Sequence, residues 1–264
     1  MRPVLILTLL LVVLMSDAQA QTSCGVEAKG YYSQGQPIVM RLMLENKSFE
    51  SAVVDLGYDR EGALEFKLKR GEGDWIELPR RQIREGLARV GKLTIAPQES
   101  YSQQIILDDW YKFTEPGKYV VSLKIPKTPV CAALEIPFEV LPMDAEWLSD
   151  VCGKLLDTIQ QNKNDYAMAA DAANVLAKVD NRLVVPFLTK ALEANRMMTS
   201  ILIPALERIG DKDAIHSLIS LLEHHDATSA EYELARPALV RLEKRCAPEE
   251  VESIRIALAR FPAQ

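Results

Sequence analysis

The chain has 264 residues, with 31 Lys and Arg against 37 Asp and Glu, and a net charge of −6 at pH 7. Acidic residues outnumber basic ones in both halves, which argues against the basic domain expected of a nucleic-acid-binding protein. The length is sufficient for two domains that each bury a hydrophobic core.

The first 20 residues, MRPVLILTLLLVVLMSDAQA, have the layout of a secretory signal peptide. A cation at Arg2 precedes an apolar run, and Ala18-Gln19-Ala20 forms an A-x-A cleavage site. The apolar run is shorter than the roughly 20 residues that span a bilayer. We therefore expect cleavage before Gln21 and an exported protein, periplasmic or extracellular, with no membrane span in the mature chain.

From residue 25 to residue 142, apolar and polar residues alternate. The pattern is clearest in PIVMRLMLEN (37–46), ALEFKLK (63–69), KYVVSLKI (118–125) and LEIPFEV (134–140). Alternation of this kind is typical of half-buried antiparallel strands, and turn signals separate the segments. The sequence predicts an antiparallel β-sandwich over residues 21–143.

The segment TEPGKYVVSLKI (114–125) resembles the tyrosine corner of immunoglobulin-like domains, which implies an immunoglobulin-like sandwich. Val121 stands where antibody domains have their second cysteine. The order MLENKS, LEFKL, LTIAPQESYSQQ, DDWYKFTEPGKYVV is also similar to the bacterial intracellular proteinase inhibitor family. That resemblance implies inhibition of a protease through the loops of the sandwich.

A basic segment, PRRQIREGLARVGK (79–92), falls on a long connection between predicted strands. It could bind an anionic surface or a protease cleft, or it could be a solvated charge run. The four arginines that we assign to a binding role are Arg80, Arg81, Arg84 and Arg89.

After residue 143 the period becomes helical. AEWLSDVCGKLLDTIQQ (145–161) predicts a first helix, and AMAADAANVLAKV (167–179) and RLVVPFLTKALEA (182–194) predict a helix pair. ALERIGDKDAIHSLISLLEH (205–224) repeats that pair 30 residues later, and a degenerate third copy occupies 233–261. A repeat of this length indicates stacked helical units.

These repeats resemble the HEAT-repeat family, in its short bacterial form that includes bilin lyases. Pro204 and Pro237 match the proline of the first helix of such repeats. The resemblance implies an α-solenoid of about three repeats over residues 144–264, with the helix at 145–161 covering one end. A bilin-lyase activity is not predicted, because no cysteine of the sequence is in a plausible position to bind a pigment.

The four cysteines allow three disulfide pairings. If the first and last strands of the sandwich lie side by side and parallel, Cys24 and Cys131 meet at one end, and we predict that bridge. Stacked helices would hold Cys152 and Cys246 beyond the roughly 7 Å that a disulfide tolerates.

Motifs for catalysis, a metal or a cofactor are missing from the sequence. His224 and His225 are expected to close a helix C-terminus, and His216 lies two helical turns away. We predict that the protein is not an enzyme and has no cofactor.

The second helices of the repeats offer a polar surface, and in HEAT-like stacks these helices line the concave face. The alternative is a solvated helix face that binds nothing. The residues that we assign to partner binding are Thr189, Lys190, Glu193, His216, Ser217, Ser220 and Glu223. The sequence therefore predicts an exported scaffold that binds an unidentified protein partner; the alternative is a protease inhibitor.

Overall fold

A computed structural model describes residues 22–79, 90–126 and 133–261. These residues divide into two compact units. The β-rich unit contains residues 22–31, 38–79, 90–112, 116–126 and 133–140, and the helical unit contains residues 32–37, 113–115 and 141–261.

Ten strands occur in the described residues. They are β1 Thr22–Ala28, β2 Tyr31–Ser33, β3 Val39–Asn46, β4 Ala52–Asp55, β5 Glu65–Arg70, β6 Ile76–Glu77, β7 Lys92–Ile95, β8 Ser100–Ile106, β9 Gly117–Lys124 and β10 Leu134–Leu141. Three sheets have the strand orders β1-β3-β8, β2-β10-β9-β5-β6 and β4-β7.

The predicted alternation is confirmed in all four strand segments. In β3 one face buries Met40, Leu42 and Leu44, none of them more than 1% exposed. The apolar residues of β9 are buried in the same way, and β9 pairs antiparallel with both β5 and β10. Each of these strands therefore has one face in the core of the β-rich unit.

The strand that follows Cys24, β2, is the neighbour of the last strand, β10, as the predicted bridge requires. The amide of Glu139 donates to the carbonyl of Gly30 and the amide of Gln34 donates to that of Leu141, both at 2.9 Å, so the two strands run parallel. β1 pairs antiparallel with β3 along its whole length, whereas β10 belongs to the other large sheet. Cys24 lies inside β1, which has the non-alternating sequence TSCGVEA and therefore gave no strand signal. Cys131 lies outside the described residues, so the bridge between Cys24 and Cys131 stays a prediction.

Seven α-helices occur in the described residues. They are α1 Ala145–Gln161, α2 Tyr166–Lys178, α3 Val185–Ala194, α4 Thr199–Ile209, α5 Lys212–His224, α6 Ala230–Glu243 and α7 Pro248–Arg260. The predicted bounds of the first helix are confirmed, and the prolines Pro204 and Pro237 lie inside α4 and α6. The segment predicted to be helical from residue 182 begins with a 3-10 turn, and α3 itself starts at Val185. Pro186 lies in the first turn of α3, where its missing N–H is tolerated.

The helices pack as successive pairs. α2, α4 and α6 contact one another in order and form what we call the first row; α3, α5 and α7 likewise form the second row. α1 packs on α2 and α3. Buried apolar residues from α1 to α7 form one continuous core.

The turn between α4 and α5 shows how the sequence ends one helix and starts the next. Gly210 caps α4 in the left-handed conformation, with φ 58°, and Asp211 accepts a 2.9 Å hydrogen bond from the amide of Ala214 at the start of α5. Glycine at the C-cap and aspartate at the N-cap are the residues that helix ends favour.

No helix in the described part of the chain is both long and apolar enough to cross a membrane. The predicted signal peptide lies outside that part.

Candidate interaction surface

Two predicted surface residues meet between adjacent helices of the second row. The hydroxyl oxygens of Thr189 on α3 and Ser217 on α5 are 2.8 Å apart. Each hydroxyl also lies within hydrogen-bonding distance of a carbonyl of its own helix, 3.1 Å from Val185 and 2.9 Å from Asp213. Both side chains are half-buried and stabilise contact between α3 and α5, so they are the least available to a partner.

The charged predicted residues are more accessible. Lys190, Glu193 and His216 are exposed, and none makes a side-chain hydrogen bond or ion pair with another described residue. These three side chains are therefore the part of the predicted surface that is available for binding.

The remaining predicted residues have local partners. Glu223 forms a 3.3 Å ion pair with Arg260 of α7, and the hydroxyl of Ser220 lies 3.2 Å from Nδ1 of His224. α5 ends at His224 and is capped by His225, as expected for histidines that close a helix C-terminus. Arg80, Arg81, Arg84 and Arg89 lie outside the described residues.

Two arginine contacts between first-row helices escaped the sequence analysis. Arg208 of α4 pairs with Asp180 at 2.7 Å and donates to the carbonyl of Val179 at 2.8 Å, at the end of α2. The next contact in the first row joins α6 to α4. The guanidinium of Arg241 donates hydrogen bonds of 2.7 and 2.8 Å to the carboxylate of Glu207, and this contact raises the pKa of Arg241. The 33-residue spacing between the two arginines is the signal that could have revealed them.

A buried carboxylate joins the second and third helix pairs. Glu231, in the first turn of α6, lies 3.8 Å from Nε of Arg196 and 4.0 Å from Nδ1 of His225. The side chain of Glu231 is only 9% exposed, so this contact belongs to the packing of the helices.

The thiols of Cys152 and Cys246 are poor candidates for a nucleophile. Burial raises the pKa of the Cys152 thiol to about 11, and burial also raises the pKa of Cys246, so neither is a reactive thiolate at neutral pH. Both are free thiols. Within the described ranges, no three His, Cys, Asp or Glu side chains are grouped to hold a metal ion.

The aromatic cluster that follows β8 packs inside the protein. Trp110 and Phe113 are 7% and 6% exposed, and the ring of Trp110 meets that of Phe66 edge-on at 4.8 Å. Buried aromatic rings in edge-on contact contribute to the packing of a core.

The model of one protein family, "Flagellar collar protein C, N-terminal domain", matches residues 27–128. This match covers less than half of the chain, and it falls in the part that contains the β-rich unit. No curated protein matches the chain.

Several solved structures are weakly similar to this chain. A β-glucosidase from Listeria innocua, bound to isofagomine, is 10% identical, with 46% of this chain and 16% of the enzyme covered and a TM-score of 0.30. The CARDB domain of a Pyrococcus furiosus protein is 8% identical, with coverages of 47% and 94% and a TM-score of 0.26. The alkylpurine DNA glycosylase AlkC of Pseudomonas fluorescens, bound to DNA, is 12% identical, with coverages of 50% and 33% and a TM-score of 0.26.

The matches to the β-glucosidase span less than a fifth of that enzyme's length. With TM-scores between 0.26 and 0.30, these likenesses add nothing about activity or ligands. The family match at residues 27–128 is the finding that bears on function.

Proposed function

We propose that this protein is a non-enzymatic structural or scaffold component of the bacterial flagellum. The observation that carries the proposal is the match of residues 27–128 to the N-terminal domain of a flagellar collar protein. The raised pKa values of Cys152 and Cys246 agree with a role that needs no thiol nucleophile.

A location in the periplasm is part of the proposal. The signal-peptide pattern of residues 1–20 supports export, and a flagellar collar belongs to the cell envelope. Extracellular release is the alternative outcome of a fractionation experiment.

The proposed architecture is an immunoglobulin-like sandwich followed by a HEAT-like solenoid. Two large sheets with alternating buried residues support the sandwich, and the pairwise packing of α2 to α7 in two rows supports the solenoid. A solenoid presents one row of helices as an extended surface, which suits a scaffold protein.

The proposed contact surface for a protein partner is the second row, around Lys190, Glu193 and His216. Their exposure and their lack of partners among the described residues support this choice. Charged side chains at the rim of an interface set orientation and association rate, so reversing them should weaken binding without unfolding the helices.

The test is affinity capture from the native cell envelope, using the mature protein and the double variant Lys190→Glu, Glu193→Lys. The matched control is Glu233→Lys, an exposed charge reversal on α6 of the first row. We expect wild type and control to capture flagellar proteins. A captured protein, once purified, should bind the double variant at least about tenfold more weakly.

Two results would overturn these assignments. Equal affinity of the double variant and wild type would remove the second row as the binding surface. If a deletion strain assembles intact flagella and swims normally, the scaffold role in the flagellum is wrong.

Protease inhibition through the sandwich loops stays a prediction. It depends on Arg80, Arg81, Arg84 and Arg89, which lie outside the described residues, and no observation favours it over the scaffold role.

A further inference from the structure

β1 is an edge strand of the three-stranded sheet, and within the described residues it pairs with β3 on one side only. The pairing of β3 with β8 shows which way the backbone groups of β3 point. The amide of Asn46 donates to the carbonyl of Glu99, and the amide of Leu107 donates to that of Ile38, both at 2.9 Å. Because alternate residues of a strand point their backbone groups to alternate sides, even-numbered residues of β3 bond β8 and odd-numbered residues bond β1.

The register of β1 on β3 then identifies the outward backbone groups of β1. Ser23 and Glu27 lie opposite odd-numbered residues of β3 and bond it, so residues 22, 24, 26 and 28 point their N–H and C=O groups away from the sheet. Within the described part of the chain, the backbone groups of Thr22, Val26 and Ala28 have no hydrogen-bond partner on that side. A row of open donors and acceptors is a template for another strand.

The open edge of β1 lacks the features that prevent pairing between molecules. Edge strands are commonly protected by lysine, proline or a bulge. β1 has the sequence TSCGVEA, with neither lysine nor proline, and it pairs with β3 along its whole length without a bulge. Thr22 and Val26 lie opposite the buried Asn46 and Leu42 and share their face of the sheet, yet both are only half-buried. A further strand beside β1 would cover them.

The sequence of β1 is complementary to a second copy of itself. When two copies run antiparallel with Gly25 opposite Gly25, Thr22 lies opposite Ala28 and the outward groups of the two strands meet. Any other register pairs fewer residues of the strand. Opposite residues share a face, so the half-buried face of each copy continues that of the other.

The charges of β1 agree with this register. Glu27 is the only charged residue of the strand, and it lies opposite Ser23 of the second copy instead of another glutamate. Arg41 of the same copy lies opposite Glu27 on β3, so a cation accompanies the carboxylate. Like charges directly opposite each other would destabilise the pairing, and this arrangement has none.

We propose that β1 is a dimerisation strand, which pairs antiparallel with β1 of a second copy about a two-fold axis at Gly25. The two three-stranded sheets become one continuous sheet in the order β8-β3-β1-β1-β3-β8. Both copies use the same surface, so the contact closes at a dimer. Two short strands bury little area, so dimerisation depends on concentration. The contact depends neither on the second row nor on the proposed role in the flagellum.

The first experiment is sedimentation velocity of the full mature chain over a concentration series. Val26→Pro removes an outward N–H from each copy, and edge strands tolerate proline where the N–H faces solvent. We expect dimerisation to weaken at least about tenfold. The matched control is Ser102→Pro on β8, because Ser102 lies opposite Met43 and points its N–H away from the sheet at the other edge. The control should dimerise like wild type.

The second experiment tests the register by cross-linking. Opposite residues that do not bond each other have Cα atoms about 4.5 Å apart, which suits a disulfide. A Cβ at Gly25 would lie 3.7 Å from Cε of Met43, an ordinary contact, so Gly25→Cys fits the fold. We expect the thiol oxidant diamide to link this variant into a dimer on a non-reducing gel. Wild type and Ser102→Cys should stay unlinked, which controls for the native thiols.

Three results would overturn the proposal: a wild-type protein that stays monomeric at every concentration, equal weakening by Val26→Pro and Ser102→Pro, or a Gly25→Cys protein that does not cross-link. Circular dichroism and thermal melts verify that the variants are folded. The cross-link tests the contact even if Val26→Pro does not fold.

Discussion

The two units of this protein are stabilised in different ways. The helical unit has a continuous apolar core, and most of its ion pairs lie at the surface. The β-rich unit also has an apolar core, but its loops depend on single polar side chains, the buried Asn46 and the half-buried Asp108. Helices satisfy most of their own backbone groups, whereas irregular loops between strands need side chains to do so.

The comparison predicts the largest loss of stability for a cavity in the helical core. Leu206 on α4 is fully buried, so Leu206→Ala should lower the free energy of unfolding by about 3–4 kcal/mol, through lost apolar contact and the remaining cavity. Urea unfolding monitored by far-ultraviolet circular dichroism measures it. Met197→Ala, with 60% of the side chain exposed, is the control and should change stability by less than about 0.5 kcal/mol.

In the β-rich unit, a half-buried carboxylate should make stability depend on pH. Burial raises the pKa of Asp108 from 3.8 to about 6, although its carboxylate accepts a 2.7 Å hydrogen bond from the amide of Ile38. The folded protein thus binds the proton more tightly than the unfolded chain, so this contribution is complete below about pH 4 and is lost as the pH rises through 6.

Asp108→Asn tests this pH dependence, because asparagine keeps the acceptor without the buried charge. At neutral pH the variant should be more stable than wild type by up to about 3 kcal/mol, and the advantage should vanish near pH 4. Denaturant titrations across the pH range measure the difference. A difference that stays constant with pH would contradict the role assigned to burial.

Removing the polar centre of the loop between β3 and β4, Asn46, should cost somewhat less free energy than the helical cavity. Asn46→Ala leaves the carbonyls of Ile95 and Ala96 without their side-chain donor, and we expect a loss of about 2–3 kcal/mol. Lys47→Ala, at an exposed position of the same loop, is the control. If both variants lose equally little, Asn46 does not hold the loop.

The smallest predicted effects compare two glycines in the left-handed conformation, one in each unit. Gly71 has φ 54° and open space around it, so Gly71→Ala should cost only the backbone strain, about 1 kcal/mol. Gly210 has φ 58°, and a Cβ there would lie 2.8 Å from Leu242, so Gly210→Ala should cost about 2 kcal/mol. Thermal melts of both variants should rank them in this order.

Segments with a regular period fold as their sequences predict, whereas irregular segments do not reveal their structure in the same way. The helix at Ala145–Gln161 and the strand at Val39–Asn46 were predicted because each has a strong period and a suitable end. The strand at Thr22–Ala28 was missed because it lacks alternation.

For the candidate interaction surface, the sequence predicted features within one helix but not contacts between helices. A sequence pattern shows which residues share a helix face, and it placed Lys190 and Glu193 on an exposed one. It does not show that Thr189 and Ser217 bind each other, or that Glu223 is already paired with Arg260, because both contacts join different helices.

The sequence alone determined the periods of this protein: strands with one apolar face, helices with one apolar stripe, and the residues that end them. Those features follow from local geometry, in which side chains repeat every two or 3.6 residues. The tertiary structure decided which strands are neighbours, that Asn46 is buried, and that Phe49 is exposed. These outcomes depend on contacts between residues far apart in the chain, such as Asn46 with Ile95, and no local period encodes them.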